Sequence, residues 1–273
     1  MTGTRTLGYL TLDADPLPTI DAAAAAGFKS VGIRITGRRV ADRYTPVVGN
    51  RQAIAAIRQR IADTGLTLSN VSAYHLYPDV TADHMKGVID TVLELRAGIM
   101  VANTYDPDEQ SYVDKVRRYC ELGEAGGVRV AVEFMRYSAM KTIQDAERVV
   151  RSVAHPNAGI LVDALHLARS GGTPADIGKL DPKSIVFAQL CDAKAVQGVP
   201  PENALRQEAR SGRLYPGDGC LPLRDFLAAL PAGTEIEYEV PRQDLGALTL
   251  AEKARVAYSV FTTFLDGSVS RAA

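Results

Sequence analysis

The feature that most limits what this chain can fold into is an alternation. A short apolar run is followed by a longer amphipathic stretch, and the pair recurs eight times. The first run, residues 6–12, precedes a helical pattern over 17–26 stopped by Gly27, a residue suited to the left-handed turn that ends a helix. Further strands are predicted over 30–35, 66–73, 99–103, 128–134, 159–163, 185–190 and 235–240. Helices are predicted over 51–64, 82–96, 111–124, 142–153, 174–180, 223–230 and 249–264, with Gly65, Gly98 and Gly126-Gly127 as stops. Strands joined through helices run parallel, because parallel neighbours need a crossover. Eight such units in 273 residues fit an α/β fold of one domain over 1–273, a closed (β/α)8 TIM barrel, better than an open doubly wound sheet. No GxGxxG follows the first run, which removes the usual argument for a dinucleotide. One connection, 193–222, is far longer than the usual loop and leaves the C-terminal end of a strand, where barrels build their active sites.

Bulk chemistry excludes several classes. With 46% hydrophobic and 23% charged residues the chain can bury a large core, so disorder is not indicated. The formal net charge of −1 gives no global attraction to phosphate backbones or anionic lipid, so neither nucleic acid nor membrane is expected as a partner. Short basic clusters (Arg34, Arg38, Arg39 and Arg43; Arg206, Arg210 and Arg213) read as solvated loops, with a local anion site as the alternative. Cys120, Cys191 and Cys220 lack zinc-type spacing and read as free thiols of a reducing compartment. The N-terminal stretch has no leader-like apolar segment and no run reaches a membrane span, so a cytoplasmic location is expected.

Each of the last four predicted strands carries a polar residue near its C-terminal end: Glu133, Asp163, Gln189 and Glu239. Alternate strand residues point to opposite faces. If Val130, Val132 and Phe134 pack under the helices, Ala131 and Glu133 face the barrel interior. The same parity turns Leu161 and Asp163 inward, and likewise Glu235, Glu237 and Glu239, with Glu237 one pleat deeper than Glu239. Three carboxylates and an amide at one mouth would repel one another, and burying unpaired carboxylates is costly. A divalent cation resolves this, and an oxygen-only set suits Mg²⁺ or Mn²⁺. The alternative is that each acid pairs with a basic residue on a neighbouring strand.

The ordered motifs Val132-Glu133-Phe134, Leu161-Val162-Asp163-Ala164-Leu165-His166, Ala188-Gln189-Leu190-Cys191-Asp192, Arg210-Ser211-Gly212-Arg213 with Pro216-Gly217-Asp218-Gly219, and Glu237-Tyr238-Glu239-Val240-Pro241 resemble the xylose-isomerase-like barrels, a family of sugar phosphate isomerases and epimerases. The resemblance is dense over 128–241 and only architectural before that. It implies metal ligation by Glu133, Asp163, Gln189 and Glu239, with Mn²⁺ or Mg²⁺ as the ion and Co²⁺ as a further candidate. It also implies an isomerase or epimerase acting on a sugar-like α-hydroxy ketone through an enediolate, with Glu133 and Glu239 as acid and base. The neighbouring implication is a lyase, a dehydratase of the 3-dehydroshikimate or inosose type. Many sugar epimerases carry His where this chain has Gln189, whereas Gln occurs there in some dehydroshikimate dehydratases. The family's repair endonucleases use several histidines and a basic groove, neither of which this chain has. Homodimers or homotetramers are the family's usual assemblies.

Other candidates follow. The resemblance sets His166 beside metal or substrate. Arg136 and Lys194, each just beyond a ligand-bearing strand, are candidates to hold a carboxylate or phosphate or else solvated loop residues, and Arg210 and Arg213 in the long loop take either an anion-binding or a structural role. His75 ends the third predicted strand, at the mouth. Asp192 either braces the loop or acts at the site.

Overall fold

A computed structural model describes residues 3–37 and 44–267, with Ala73 described in backbone only. Arg38, Arg39 and Arg43 lie outside the described residues. Eight parallel strands close into a barrel in sequence order. They are β1 (Arg5–Leu7), β2 (Ser30–Ile33), β3 (Thr67–Leu76), β4 (Ile99–Thr104), β5 (Arg129–Glu133), β6 (Ala158–Asp163), β7 (Ile185–Leu190) and β8 (Ile236–Tyr238). β1 pairs with both β2 and β8, which completes the ring.

Side-chain parity is as the sequence demands. Val130, Val132, Ile160, Val162, Ile236 and Tyr238 join the large apolar layer between sheet and helices. Val101, Ala131, Leu161 and Phe187, one from each of β4 to β7, form a separate cluster inside the barrel. The opposite half of the interior is polar. Thr6 and Ser69 donate hydrogen bonds to Glu235, and Asn70 donates to Glu237. A register shift of β3 against β2 between Val31 and Gly32 lets the consecutive Ser69 and Asn70 both reach interior acids.

Several boundaries differ from expectation. The first apolar run breaks at Gly8 into a short helix, Tyr9–Leu12. β3 runs on to Leu76 and so includes His75. The helix Ala82–Leu95 is closed by Arg96 in the left-handed region at φ 58°, not by Gly98. The segment 193–222 is not one long loop, since it contains the ten-residue helix Glu202–Ser211. A short helix, Ala164–Arg169, also follows β6 directly.

Candidate metal centre

Strand register brings the ligand candidates together. Asp163 pairs with Gln189 across β6 and β7, and Gln189 with Glu237 across β7 and β8. Glu239 follows one pleat higher, and Glu133 ends β5. Glu133, Asp163, Gln189 and Glu239 are all buried, as is His166. His166 sits in the helix that Asp163 caps: Asp163 Oδ1 accepts from the His166 backbone N–H at 3.0 Å. The imidazole Nε2 lies 3.8 Å from Glu133 Oε1. Glu133, Asp163 and His166 each offer a donor atom within 4.8 Å of the others, which adds a nitrogen to the expected oxygen set.

Arg213 lines the cavity, is only 2% exposed and has its guanidinium engaged by two of the acids. Its Nη1 donates to Asp163 Oδ2 at 2.5 Å and its Nη2 pairs with Glu239 Oε2 at 2.8 Å. Nε donates to the Ala209 carbonyl at 3.0 Å, so the helix Glu202–Ser211 holds the guanidinium in place.

Electrostatics follow from burial. Desolvation, with Glu239 and Asp163 nearby, pushes Glu133 up to about 8. Desolvation raises Glu239 to about 7 against the pull of Arg213, and raises Glu237 to about 8. Burial works the same way on Asp163, but Arg213 and His166 overcome it and hold that carboxyl below its ordinary value. Burial drives His166 down to about 4, so its ring is neutral at pH 7.

These residues fit a divalent cation. Glu133, Asp163, Glu237 and Glu239 are four buried carboxyls, and among the described residues Arg213 is the one cationic side chain hydrogen-bonded to any of them. Gln189 Oε1 is buried with no hydrogen-bond partner, although its Nε2 is doubly used. An unpaired amide oxygen beside under-neutralised carboxylates is a hard-donor set. The neutral imidazole of His166 widens the choice toward Zn²⁺ or Co²⁺.

Above the acids lies a cavity at the barrel mouth. Glu133, Glu239, His166, Arg213, Arg210 and His75 all line it, so six of the residues singled out in the sequence converge there. Arg136 and Lys194 are not in its described lining; Arg136 is half-buried, and Lys194 is exposed, its carbonyl accepting from Arg169. Arg206 serves packing: it lies over the Tyr105 and Tyr137 rings at 5.3 and 4.7 Å and donates to the Tyr137 carbonyl. Asp192 braces the loop. Its carboxylate accepts from the backbone N–H groups of Ala193, Gly217 and Leu221.

Sequence reading missed Asn103 and three tyrosines, Tyr9, Tyr105 and Tyr137, in the cavity wall. Asn103 Nδ2 donates to Glu133 Oε2 at 2.8 Å. A signal was available, because Asn103 stands near the C-terminal end of an apolar strand, as Glu133 and Asp163 do. Tyr105 and Tyr137 sit outside strands, where no periodicity marks them, and Tyr9 falls in the apolar run that turns helical after Gly8.

A closed eight-stranded barrel with acids buried at the C-terminal mouth is the arrangement in which barrel enzymes build their active sites. The chain belongs to the xylose isomerase-like TIM barrel family, whose model matches residues 20–256. It is 25% identical over 242 residues to a 3-dehydroshikimate dehydratase of Pseudomonas putida, covering 84% of this chain and 36% of that protein. It is 26% identical over 155 residues to an inosose isomerase of Halalkalibacterium halodurans, covering 53% of this chain and 52% of that one. The chain thus spans about a third and about half of the lengths of these two relatives. Among solved structures, the IOLI protein with a bound zinc atom superposes with a TM-score of 0.78 at 17% identity, covering 98% of this chain and 99% of that one, a likeness of fold. Among the described residues no helix is long and apolar enough to cross a membrane.

Proposed function

We propose that this chain is a divalent-metal-dependent isomerase or epimerase that moves a proton at the carbon beside a ketone in a sugar-like substrate. The observation that carries this reading is the placement of Glu133, which ends β5, and Glu239, which follows β8, in the wall of one cavity beside His166 and Arg213. Glu133, Asp163, Gln189 and Glu239 would hold the cation, with His166 at its edge. Mn²⁺ or Mg²⁺ fits the oxygens, and Zn²⁺ or Co²⁺ becomes suitable if the imidazole joins. When bound, such an ion polarises a substrate carbonyl and makes the neighbouring C–H acidic. Glu133 takes that proton, and Asn103, hydrogen-bonded to Glu133 Oε2, leaves Oε1 as the oxygen that receives it. Glu239 returns a proton from the other wall. Arg213 keeps Asp163 and Glu239 in place by sharing its two terminal nitrogens between them. The tyrosines and His75 shield the reacting carbon from water, and Arg210 at the rim meets any anionic group on the substrate.

A second reading, dehydration, is favoured by one comparison. The dehydratase of Pseudomonas putida matches over 84% of this chain, against 53% for the isomerase named above. In that reading Glu133 removes the same proton, and the β-hydroxyl takes a proton from Glu239 on the other wall and leaves as water. Incubation in deuterium oxide with ketoses, inososes and 3-dehydroshikimate separates the readings. Isomerase or epimerase action incorporates solvent deuterium into a recovered ketone, whereas dehydration yields a conjugated product that absorbs in the ultraviolet. Neither result with any of these substrates, in a metal-loaded protein, would count against both.

A further inference from the structure

Glu237 takes no part in the chemistry above, yet the interior is arranged around it. It is 0% exposed. Its Oε2 accepts from Asn70 Nδ2 at 2.6 Å, and its Oε1 accepts from Gln189 Nε2 at 2.7 Å. Asn70 is itself fixed, because Ser72 Oγ donates to Asn70 Oδ1 at 2.6 Å. Two glycines leave room for the carboxylate. A Cβ at Gly8 would stand 2.8 Å from Glu237 Oε1, and one at Gly32 would stand 2.9 Å from Oε2. Among the described residues no cationic side chain hydrogen-bonds Glu237, so an ion pair is not what this site serves.

The consequence falls on Gln189. An amide carries two N–H hydrogens and one acceptor oxygen. Both hydrogens are claimed by carboxylates, one by Glu237 Oε1 and the other by Glu239 Oε1 at 3.0 Å. With Glu237 and Glu239 ionised, the turned-over amide would set its oxygen against two carboxylate oxygens, with no hydrogen between them. Its Oε1 is therefore left as the buried, unpartnered atom. We infer that Glu237 is a positioning residue: through the chain Ser72–Asn70–Glu237–Gln189 it fixes which way the Gln189 amide faces, so that oxygen and not nitrogen is presented to a cation. This rests on the reading that the centre binds a divalent metal.

Glu237→Gln is a pointed test, because Asn70 Nδ2 would claim the new side chain's oxygen and leave its NH2 facing Gln189. That NH2 either abuts the Gln189 NH2 or drives the amide over. Mn²⁺ binding is measured by calorimetry on the full-length wild type, E237Q, Q189A and the double variant, beside thermal midpoints in EDTA. E237Q is expected to weaken Mn²⁺ by about 10- to 100-fold, the usual effect of losing a partner that orients a ligand. The double variant is expected to bind no more weakly than Q189A alone, because Glu237 acts through that amide. A merely structural role would lower the midpoint in EDTA and leave the two effects on Mn²⁺ independent, which overturns the inference. Should E237Q not fold, E237D takes its place. It keeps the charge but draws the acceptor back from Gln189, and binding equal to wild type would overturn the inference. A wild type that takes up no Mn²⁺, Co²⁺ or Zn²⁺ overturns the metal reading and this inference together, whereas unaltered binding by E237Q beside a metal-binding wild type overturns only the inference.

Discussion

At the scale of single residues, the centre is governed by an excess of buried carboxyl groups over cations. Arg213 answers two of them, Asp163 and Glu239, from a position 2% exposed to solvent. Replacing it by Met would leave both acids without their cation, and breaking a buried pair in this way costs about 3–5 kcal/mol. Urea denaturation in EDTA should show that loss, and saturating Mn²⁺ should recover part of it; a loss unaltered by Mn²⁺ would separate Arg213 from the metal centre. Glu133 plays the opposite part, since it can lose its charge without a new cavity forming. Glu133→Gln is expected to lower the rate of substrate C–H exchange with deuterium oxide by at least about 100-fold, the scale of a lost general base, while folding is retained. Exchange at the wild-type rate would remove Glu133 from the proton-transfer step. These acids were legible because strand parity is rigid: a polar residue amid β-branched neighbours near a strand's end has little choice but to face inward. Which of its two roles Arg213 takes was not legible, because a loop arginine gives no sign in one dimension that its guanidinium will be buried between two acids.

At the scale of elements, the long connection after β7 shows where pattern reading stops. Its helix, Glu202–Ser211, buries only Leu205 and Ala209, one i, i+4 pair. A stripe that narrow on a charged segment does not rise above the background of a polar loop. Pro200-Pro201 just before it and Arg210 in its last turn were the available clues. The end of the same connection is organised by Asp192, whose carboxylate gathers three backbone N–H groups, and by Gly219. A Cβ at Gly219 would lie 2.3 Å from Asp192 Oδ1 and 2.4 Å from the Ala193 carbonyl oxygen. Gly219→Ala should therefore dislodge the turn, costing about 1–3 kcal/mol as an overpacked contact does. Because Arg213 lies in the same connection, metal affinity should fall with it; calorimetry showing unchanged stability and unchanged affinity would mean that the turn is not what holds the guanidinium. Helix stops were legible where glycine supplied them, at Gly27 and Gly65, and illegible at Arg96, where a non-glycine residue takes the left-handed turn.

For the whole molecule, the barrel was legible because its eight-fold alternation is a global pattern that survives errors of several residues at each boundary. Proton linkage is the matching whole-molecule property. Burial lifts Glu133 and Glu237 to about 8 and Glu239 to about 7, so the metal-free fold keeps protons that the unfolded chain has released above about 4.3. Across that window the folded state binds more protons than the unfolded state, so their contribution to stability falls as pH rises from about 5 to about 8 and then levels off. Asp163 has the opposite sign, its stabilising share being lost only as pH falls below the ordinary carboxyl range. A bound cation requires the deprotonated ligands, so the rise in Tm on adding Mn²⁺ should grow over the same window. Thermal melts with EDTA and with Mn²⁺ across that range check this, and a rise in Tm that stays flat with pH would contradict it.

The metal content of the purified protein, measured by elemental analysis beside the double variant E133Q/E239Q, bears most directly on the centre. About one equivalent of divalent cation per chain in the wild type, lost in the variant, is the predicted result for a single-ion site. A wild type that retains no ion after reconstitution with Mn²⁺, Mg²⁺, Co²⁺ or Zn²⁺ would contradict it, and would leave Arg213 as the cation, among the described residues, that answers the acids of this centre.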